Sequence, residues 1–256
     1  MSSFVLVHGS WQGGWAWEEV ARRLEAVATG PWPRPSPATT VPTRTGPRSA
    51  TTTWFTAVLG TLEQAGSDPV VLVGHSLGGS VIGQVADRRP DRVARLVYCD
   101  AFVLRDGEAV ADLLPAEFAA NLRALAAASP DRSLPLPWEL WRTAFMQTAD
   151  EATAKAAFAR LVPDPYRTTF DPVHLPRLAG LDLPATFVHL RQDRTMPTGF
   201  WHPGMSGRLP GTALIELDGD HQAMLTAPGP LADALHWVAV TTAPPAARRP
   251  EATADA

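Results

Sequence analysis

Short apolar runs recur along the chain and alternate with segments of helical spacing. The runs are rich in β-branched residues, are bounded by Gly, Pro or Asp, and lack the polar alternation of a half-exposed sheet. They predict buried strands over Phe4–Val7, Val70–Val73, Val93–Tyr98, Thr186–Leu190 and Ala213–Leu217. Helical spacing is present over Trp15–Val27, Thr53–Gln64, Ser80–Arg88 and Leu231–Val240. Strands that alternate with helices predict a mostly parallel sheet with helices on both faces.

The alternation stops between residues 102 and 180, where no run is a convincing strand. The helical segments of this stretch are Ala116–Ala128, Trp138–Thr148 and Glu151–Leu161. A helical insertion between two sheet strands is expected to cap the carboxyl ends of the strands, where open α/β sheets bind ligands. We therefore predict an α/β core of residues 1–101 and 181–242, and a helical cap of residues 102–180.

Two segments do not follow this architecture. Thr29–Thr53 has almost no apolar residues and many Pro, Arg and Thr, although a strand and a turn are needed there. It is either a long irregular loop or the product of a local error in the reading frame. The segment Ala243–Ala256 is rich in Pro and Ala and is predicted to be disordered.

Composition narrows the class of protein and of partner. The 256 residues carry a formal net charge of -4 with no cluster of basic residues, so nucleic acid is not an expected partner. Cys99 is the only cysteine, which excludes an internal disulfide and a Cys-based metal site. The start of the chain lacks the pattern of a secretory signal, and no apolar run reaches the ~20 residues that span a bilayer. We expect a cytoplasmic protein, monomeric or homodimeric, that binds a small molecule.

One serine lies in a glycine-flanked turn. Gly74-His75-Ser76-Leu77-Gly78 follows the predicted strand Val70–Val73 and precedes a helix. A nucleophile on such a turn has strained backbone angles, and its neighbours must be tiny for the turn to pack. The positive N-terminal end of the following helix helps to stabilise an oxyanion. A serine can occur in such a turn by chance, but the strand and helix around it favour Ser76 as a nucleophile.

A second glycine-containing loop, His8-Gly9-Ser10-Trp11, follows the first predicted strand. An acyl-transfer site needs two backbone N–H donors aimed at the developing oxyanion. We expect one from Leu77, the residue after the nucleophile, and the other from Ser10, since a glycine before it lets the backbone approach. His8 is interpreted as a brace for this loop rather than as a catalytic residue.

A histidine late in the chain is the predicted base. A serine hydroxyl is a poor nucleophile until an imidazole accepts its proton, and the chain order nucleophile, acid, histidine places that base near the end. His221, in Gly219-Asp220-His221-Gln222 after the last predicted strand, satisfies this order. His189 lies inside a predicted strand, and His202 and His236 lie in expected helices, so structural roles suit these three better.

Two carboxylates compete for the role of the acid that orients the histidine. Asp193 follows the predicted strand Thr186–Leu190 and occupies the usual place. Asp100 follows the predicted strand Val93–Tyr98, a position that some proteins of this architecture use instead. Both lie at strand ends above the sheet; Asp193 is preferred, and Asp220 is too close in sequence to its own histidine.

Aromatic residues are frequent in the predicted cap. Each of them is expected to line either the core of the cap or the binding site below it: Trp138, Trp141, Phe145, Phe158 and Tyr166. For each residue taken singly the core is favoured, because most aromatic side chains simply pack. The predicted substrate contacts are Trp11, His75, Trp138, Trp141 and Phe145.

Four motifs together resemble the plant-type esterase and hydroxynitrile lyase branch of the α/β-hydrolases, with its bacterial relatives. They are HGSWQGGWAW, GHSLGG, RQD and GDHQAML. The resemblance spans nearly the whole chain, and it is firm at both ends and thin through the cap. It implies an α/β-hydrolase fold, a triad of Ser76, Asp193 and His221, and an oxyanion hole from the backbone of Ser10 and Leu77. No metal or cofactor is implied.

Two positions favour the esterases of that branch. Its hydroxynitrile lyases have a threonine after the first-strand histidine and a lysine after the catalytic histidine, where this chain has Gly9 and Gln222. Without the lysine cation, nothing obvious stabilises a departing cyanide. We expect hydrolysis of a carboxylic ester or lactone of a small apolar or aromatic substrate, through an acyl-enzyme on Ser76. The alternatives are non-hydrolytic chemistry by the same triad, as in a lyase, a cyclase or C–C bond cleavage, and a receptor-like binding protein.

Overall fold

A sheet of parallel strands forms the centre of the protein. The computed structural model describes residues 3–27, 38–40, 51–209 and 211–241. The strands are β1 Phe4–Val7, β2 Ala38–Thr40, β3 Val70–Ser76, β4 Val93–Ala101, β5 Ser133–Leu134, β6 Asp164–Pro165, β7 Ala185–Leu190 and β8 Ala213–Leu217. Six of them form a sheet in the order β2-β1-β3-β4-β7-β8, with every neighbouring pair parallel. All five predicted strands are present, so the prediction of an α/β fold with a mostly parallel sheet is confirmed.

Helices connect the strands. Within the described ranges they are α1 Glu18–Val27, α2 Thr51–Gln64, α3 Gly78–Arg88, α4 Val110–Leu113, α5 Ala116–Ala128, α6 Trp138–Leu140, α7 Glu151–Phe158, α8 Tyr166–Phe170, α9 Ala223–Thr226 and α10 Pro228–Val240. Two predicted helices change type along their length. A 3₁₀ turn, Gly14–Trp17, precedes α1, and a π-helical turn, Trp141–Phe145, follows α6.

Alternate residues of each central strand face opposite layers, although the strands are apolar throughout. On β1, Val5 and Val7 join the apolar cluster that includes α2 and α3, whereas Phe4 and Leu6 join the cluster that includes α1 and α10. A strand covered on both faces needs no polar side, which explains the continuous apolar runs of the sequence.

The segment between β4 and β7 contains α4 to α8, in agreement with the helical patterns of residues 102–180. It also contains a short antiparallel pair, β5 with β6, where Leu134 lies opposite Asp164. The sequence did not indicate these strands, because two residues are too few for an alternating pattern to register. The division of the chain into a core and a cap stays a prediction.

Two parts of the unusual segment Thr29–Thr53 are described, and its last three residues form the start of α2. Its Ala38–Thr40 forms β2 and pairs with β1, so it supplies the strand that the architecture needs there. Residues 28–37 and 41–50, and the predicted disorder of residues 243–256, lie outside the described residues. Among the helices that are described, none is both long enough and apolar enough to cross a bilayer.

Gly78, at the start of α3, gives a test of how tightly the sheet edge is packed. A Cβ at this position would lie 2.6 Å from the carbonyl oxygen of His8 and 2.8 Å from that of Val7, and both are backbone atoms. We expect Gly78→Ala to lower the free energy of unfolding, measured by urea denaturation, by about 2 kcal/mol.

Gly60 of α2 is the matched control, since nothing lies within 4 Å of a Cβ built there. Gly60→Ala should raise the free energy of unfolding by about 0.5–1 kcal/mol. Equal effects of the two substitutions would show that the close approach at Gly78 is not a constraint.

Candidate active site

Ser76 lies at the end of β3 in a strained conformation. Its φ is 51°, in the left-handed region that non-glycine residues seldom adopt, and α3 starts only two residues later. Such strain persists only where the surrounding structure imposes it, and it is concentrated at functional sites. The residue is 7% exposed and lies at the carboxyl edge of the sheet.

The loop after β1 lies directly against this serine. A Cβ at Gly9 would be 2.8 Å from Nδ1 of His75 and 2.9 Å from Cβ of Ser76, so only glycine allows the approach. The amide of Gly9 donates to Oε1 of Gln12 at 3.3 Å, and Nε2 of Gln12 donates to Oε1 of Gln222. A buried pair of glutamines therefore joins the loop after β1 to the loop that carries His221.

Trp11 attaches the same loop to the segment between β4 and β7. Its indole Nε1 donates to the carbonyl of Leu134 at 2.6 Å, and its own carbonyl accepts from the amide of Val162 at 2.9 Å. The φ of Trp11 is 61°, which is a genuine outlier for a bulky residue. These two hydrogen bonds hold the strained backbone next to Ser10.

His221 is paired with Asp193. Its Nδ1 lies 2.5 Å from Oδ2 of Asp193, and both side chains are almost fully buried. The amide and hydroxyl of Thr195 donate to the other carboxylate oxygen at 2.7 and 2.6 Å. Burial raises the pKa of Asp193, but His221 and the hydrogen bonds outweigh it and hold that pKa below its ordinary value. Because Nδ1 is occupied, Nε2 of His221 is the nitrogen left to accept a proton.

Asp100, the alternative acid, lies behind Asp193 and does not bond His221. It accepts a hydrogen bond from the amide of Leu190 at 3.0 Å and lies 2.9 Å from Nδ1 of His189. Burial, together with the negative charge of Asp193, raises the pKa of Asp100 well above its ordinary value. Of the two candidate acids, only Asp193 contacts the predicted base.

His75 supports the backbone of His221. Its Nε2 lies 2.8 Å from the carbonyl oxygen of His221, which only accepts, so this nitrogen carries the hydrogen. Burial and the nearby His221 lower the pKa of His75 well below its ordinary value, and the ring is therefore neutral. Its position indicates support of the loop of His221 rather than contact with a substrate.

Asp220 is a site residue whose role the sequence did not reveal. The amide and hydroxyl of Thr148 donate to one of its oxygens at 3.1 and 2.7 Å. The hydroxyl of Thr226 and the amide of Gln222 donate to the other oxygen at 2.8 and 3.1 Å. Asp220 thus joins the segment between β4 and β7 to the loop of His221, and its place before His221 was the only signal in the sequence.

A cleft of about 450 Å³, including the space at its mouth, opens above Ser76. Ser10, Leu77 and His221 line it together with Ser76, so four of the predicted residues meet at one place. The apolar wall includes Phe102, Val110, Leu114, Phe118, Leu122 and Trp201. Sequence reasoning did not assign these residues to the site; the apolar spacing of α5, which carries Phe118 and Leu122, was the available signal.

The five predicted substrate contacts divide into two groups. Trp11 and Phe145 line the cleft, whereas His75, Trp138 and Trp141 are not among its lining residues. Trp141 is fully buried and donates its Nε1 to the carbonyl of Ala154 at 3.0 Å. Trp138 packs edge-on against Phe158, with ring centroids 5.3 Å apart. These two side chains stabilise the inserted segment from within.

The remaining histidines lie away from the cleft wall. His8 stacks on Trp54, with ring centroids 5.0 Å apart. Nδ1 of His202 lies 2.7 Å from the hydroxyl of Ser206. In the part of the chain that the structure describes, no group of three or more His, Cys, Asp or Glu side chains is placed to hold a metal ion.

Comparison with known proteins gives consistent matches. The profile of the Alpha/beta hydrolase family matches residues 4–234. The carbendazim hydrolyzing esterase of Nocardioides sp. (strain SG-4G) is 39% identical over 124 residues, which are 45% of this chain and 48% of that protein. The chain thus matches less than half the length of the curated relatives.

Solved structures extend the likeness over almost the whole chain. An extracellular alpha/beta-hydrolase from a Paenibacillus species, described as sharing structural and functional homology with tobacco salicylic acid binding protein 2, has a TM-score of 0.83 and 31% identity. The match covers 92% of this chain and 98% of that one. A pyrethroid hydrolase from Sphingobium faniae JZ-2, 21% identical with a TM-score of 0.72, covers 93% of this chain and 97% of its own and shares the fold.

The strain at Ser76 should be measurable as stability. Ser76→Ala and Ser76→Gly both remove the hydroxyl, but only glycine relieves a φ of 51°. We expect the glycine variant to exceed the alanine variant by about 1 kcal/mol in free energy of unfolding, even though glycine adds entropy to the unfolded chain. Urea denaturation of the two variants decides; equal stability would mean that the turn stores no strain.

Proposed function

Because the chain belongs to the alpha/beta hydrolase family, we propose that it hydrolyses a carboxylic ester or lactone of a small, neutral, apolar or aromatic substrate. One observation carries the proposal. Ser76, on its strained turn, lines the same cleft as His221, whose other ring nitrogen is held by Asp193. A nucleophile, a base and an acid that orients the base are the parts that acyl transfer requires.

Acylation begins with proton transfer from the hydroxyl of Ser76 to Nε2 of His221. The serine oxygen attacks the carbonyl carbon, and the amides of Ser10 and Leu77 donate to the resulting oxyanion. The amide of Leu77 precedes the first turn of α3, so no carbonyl of the helix competes for it. His221 then protonates the leaving alcohol and leaves an ester on Ser76.

Deacylation repeats the sequence with water. His221 accepts a proton from the water as it attacks the acyl group, and returns that proton to the serine oxygen when the bond to the acyl carbon breaks, which releases the acid and restores Ser76. Asp193 keeps the hydrogen of His221 on Nδ1 and stabilises the imidazolium formed in each half of the reaction. The two hydrogen bonds from Thr195 hold Asp193 in the orientation that this requires. No step needs a metal ion or a cofactor.

The lining of the cleft defines the substrate class. None of its described lining residues is Asp, Glu, Lys or Arg. A charged group moved from water into such a cleft would lose its hydration without gaining a partner. We further propose a bacterial, cytoplasmic protein, monomeric or homodimeric, that acts without a nucleic-acid or membrane partner.

The triad gives the first kinetic test. Ser76→Ala and His221→Ala should each lower kcat for an activated ester by roughly 10⁴-fold or more, because nucleophile and base act as a unit. Asp193→Asn should lower kcat strongly as well, since the amide favours the wrong tautomer of His221. Steady-state rates with p-nitrophenyl butyrate measure this.

A fluorophosphonate probe checks the same nucleophile without turnover. Intact mass and peptide mapping should show one adduct, on Ser76, and none in Ser76→Ala. Ser129→Ala, which removes a serine whose hydroxyl bonds Asp131 outside the cleft, is the control and should keep both labelling and activity. Full activity of Ser76→Ala would rule out the acyl-enzyme.

The absence of charge in the cleft wall predicts selection against ionised substrates. We expect kcat/KM for p-nitrophenyl benzoate to exceed that for p-nitrophenyl 4-carboxybenzoate by at least about tenfold, because the carboxylate must be desolvated. The two esters share the leaving group and the aromatic ring, and a para carboxylate cannot reach the ester carbonyl of its own molecule, so the main difference is the charged group. Equal values of kcat/KM would contradict the assignment of a neutral substrate.

A further inference from the structure

The mechanism uses only one of two buried carboxyl groups that touch each other. Asp100 contacts Asp193 through its side chain, and both side chains are fully buried. Two carboxylates in contact inside a protein cannot both ionise, because their repulsion adds to the loss of hydration. One of the two must therefore keep a proton.

The hydrogen bonds around the pair decide which carboxyl group is ionised. Asp193 accepts from Nδ1 of His221 and from both the amide and the hydroxyl of Thr195. Apart from its contact with Asp193, the hydrogen bonds of Asp100 within the described residues are to the amide of Leu190 and to Nδ1 of His189. Hydrogen bonds that donate to a carboxylate favour its charged form, so the charge belongs on Asp193.

The backbone at Asp100 is arranged to direct its side chain to this place. In the pairing of β3 with β4, His75 lies opposite Cys99 and Ser76 lies opposite Ala101, so Asp100 is an extra residue in the ladder. Its φ is 30°, in the left-handed region. Bulges of this kind redirect a side chain and are frequent next to active sites.

We propose that Asp100 carries the proton of the pair and donates its O–H to Asp193, which makes Asp100 a positioning residue for the triad acid. The proton stays on Asp100 throughout the reaction. Its hydrogen bond limits the rotation of the Asp193 carboxylate and spreads part of its charge. The kinetic consequence rests on the proposed hydrolase function, whereas the location of the proton does not.

The other titratable groups around the pair do not supply a charge that would ionise Asp100. Burial, and next the neighbouring His202, lower the pKa of His189, so its ring is neutral near pH 7. On the other side of Asp100 in the chain, burial and the two carboxyl groups raise the pKa of the Cys99 thiol. Beyond His189 and Asp193, the charged or titratable groups of the described residues include His202, Glu216, Arg191 and His221. Arg191, the permanent cation among them, is half exposed and is paired with Asp218.

Infrared spectroscopy tests the location of the proton without turnover. With ¹³C-labelled aspartate, the difference spectrum of wild type minus Asp100→Asn at pH 7 should contain the C=O band of a protonated, buried carboxylic acid. A spectrum with only carboxylate bands would show that Asp100 is ionised and would overturn the proposal. This result stands even if no ester is ever found to be a substrate.

Kinetics test the positioning role. Asp100→Asn keeps a neutral group that can donate to Asp193, so kcat should stay within about threefold and the acidic limb of kcat/KM should not move. Asp100→Leu removes the donor and should lower kcat by roughly tenfold or more at little change in KM, because Asp100 does not line the cleft. A shift of the acidic limb to lower pH by about one unit in Asp100→Asn would show that a negative charge had been removed.

Asp87→Leu is the matched control for the loss of a buried acid. Asp87 is 7% exposed, accepts from the amides of Arg177 and Leu178 at 2.7 Å, and lies outside the site. Its loss should reduce stability and leave kcat of the folded enzyme unchanged. An equal fall of kcat in Asp87→Leu and Asp100→Leu would assign both effects to general destabilisation and overturn the positioning role.

Discussion

The turn that carries Ser76 touches the end of β1 through backbone atoms, and the site depends on this contact. Gly78 lies against the carbonyls of Val7 and His8, and Gly9 lies against Ser76. A side chain at either glycine would separate Ser76, the proposed nucleophile, from the loop that carries Ser10, a proposed oxyanion donor. Because β1 and β3 are adjacent and parallel, both segments leave the sheet at the same edge and meet there.

Around this contact, buried polar groups hold the proposed catalytic groups in place. His75 supports the carbonyl of His221, Thr195 orients Asp193, and Asp100 lies behind that carboxylate. Such hydrogen bonds are stronger in a low-dielectric interior than in water, and an unpaired member would be correspondingly unfavourable. The geometry of the site is therefore a property of the whole network.

Local signals in the sequence were enough to predict the strands and to select Ser76 and His221 as candidate catalytic residues. Ser76 is marked by glycine spacing, and the strands by apolar runs. Trp141 and Phe145 have the same local pattern, yet one packs inside the inserted segment and the other lines the cleft. That difference arises from long-range packing, which spacing does not encode. The choice between Asp193 and Asp100 likewise depends on which carboxyl group contacts His221.

The segment between β4 and β7 is attached to the loops that carry Ser10 and His221. Leu134 accepts from the indole of Trp11, the residue after Ser10, and Val162 donates to the backbone carbonyl of Trp11. Thr148 bonds Asp220, the neighbour of His221. Swinging this segment away as one body would break these contacts, each with a net value of about 1 kcal/mol. A molecule opened in that way would also lose the support of the loops that carry Ser10 and His221. The hydrogen bonds that hold this segment over the cleft are thus the same ones that hold the loops of the proposed catalytic residues.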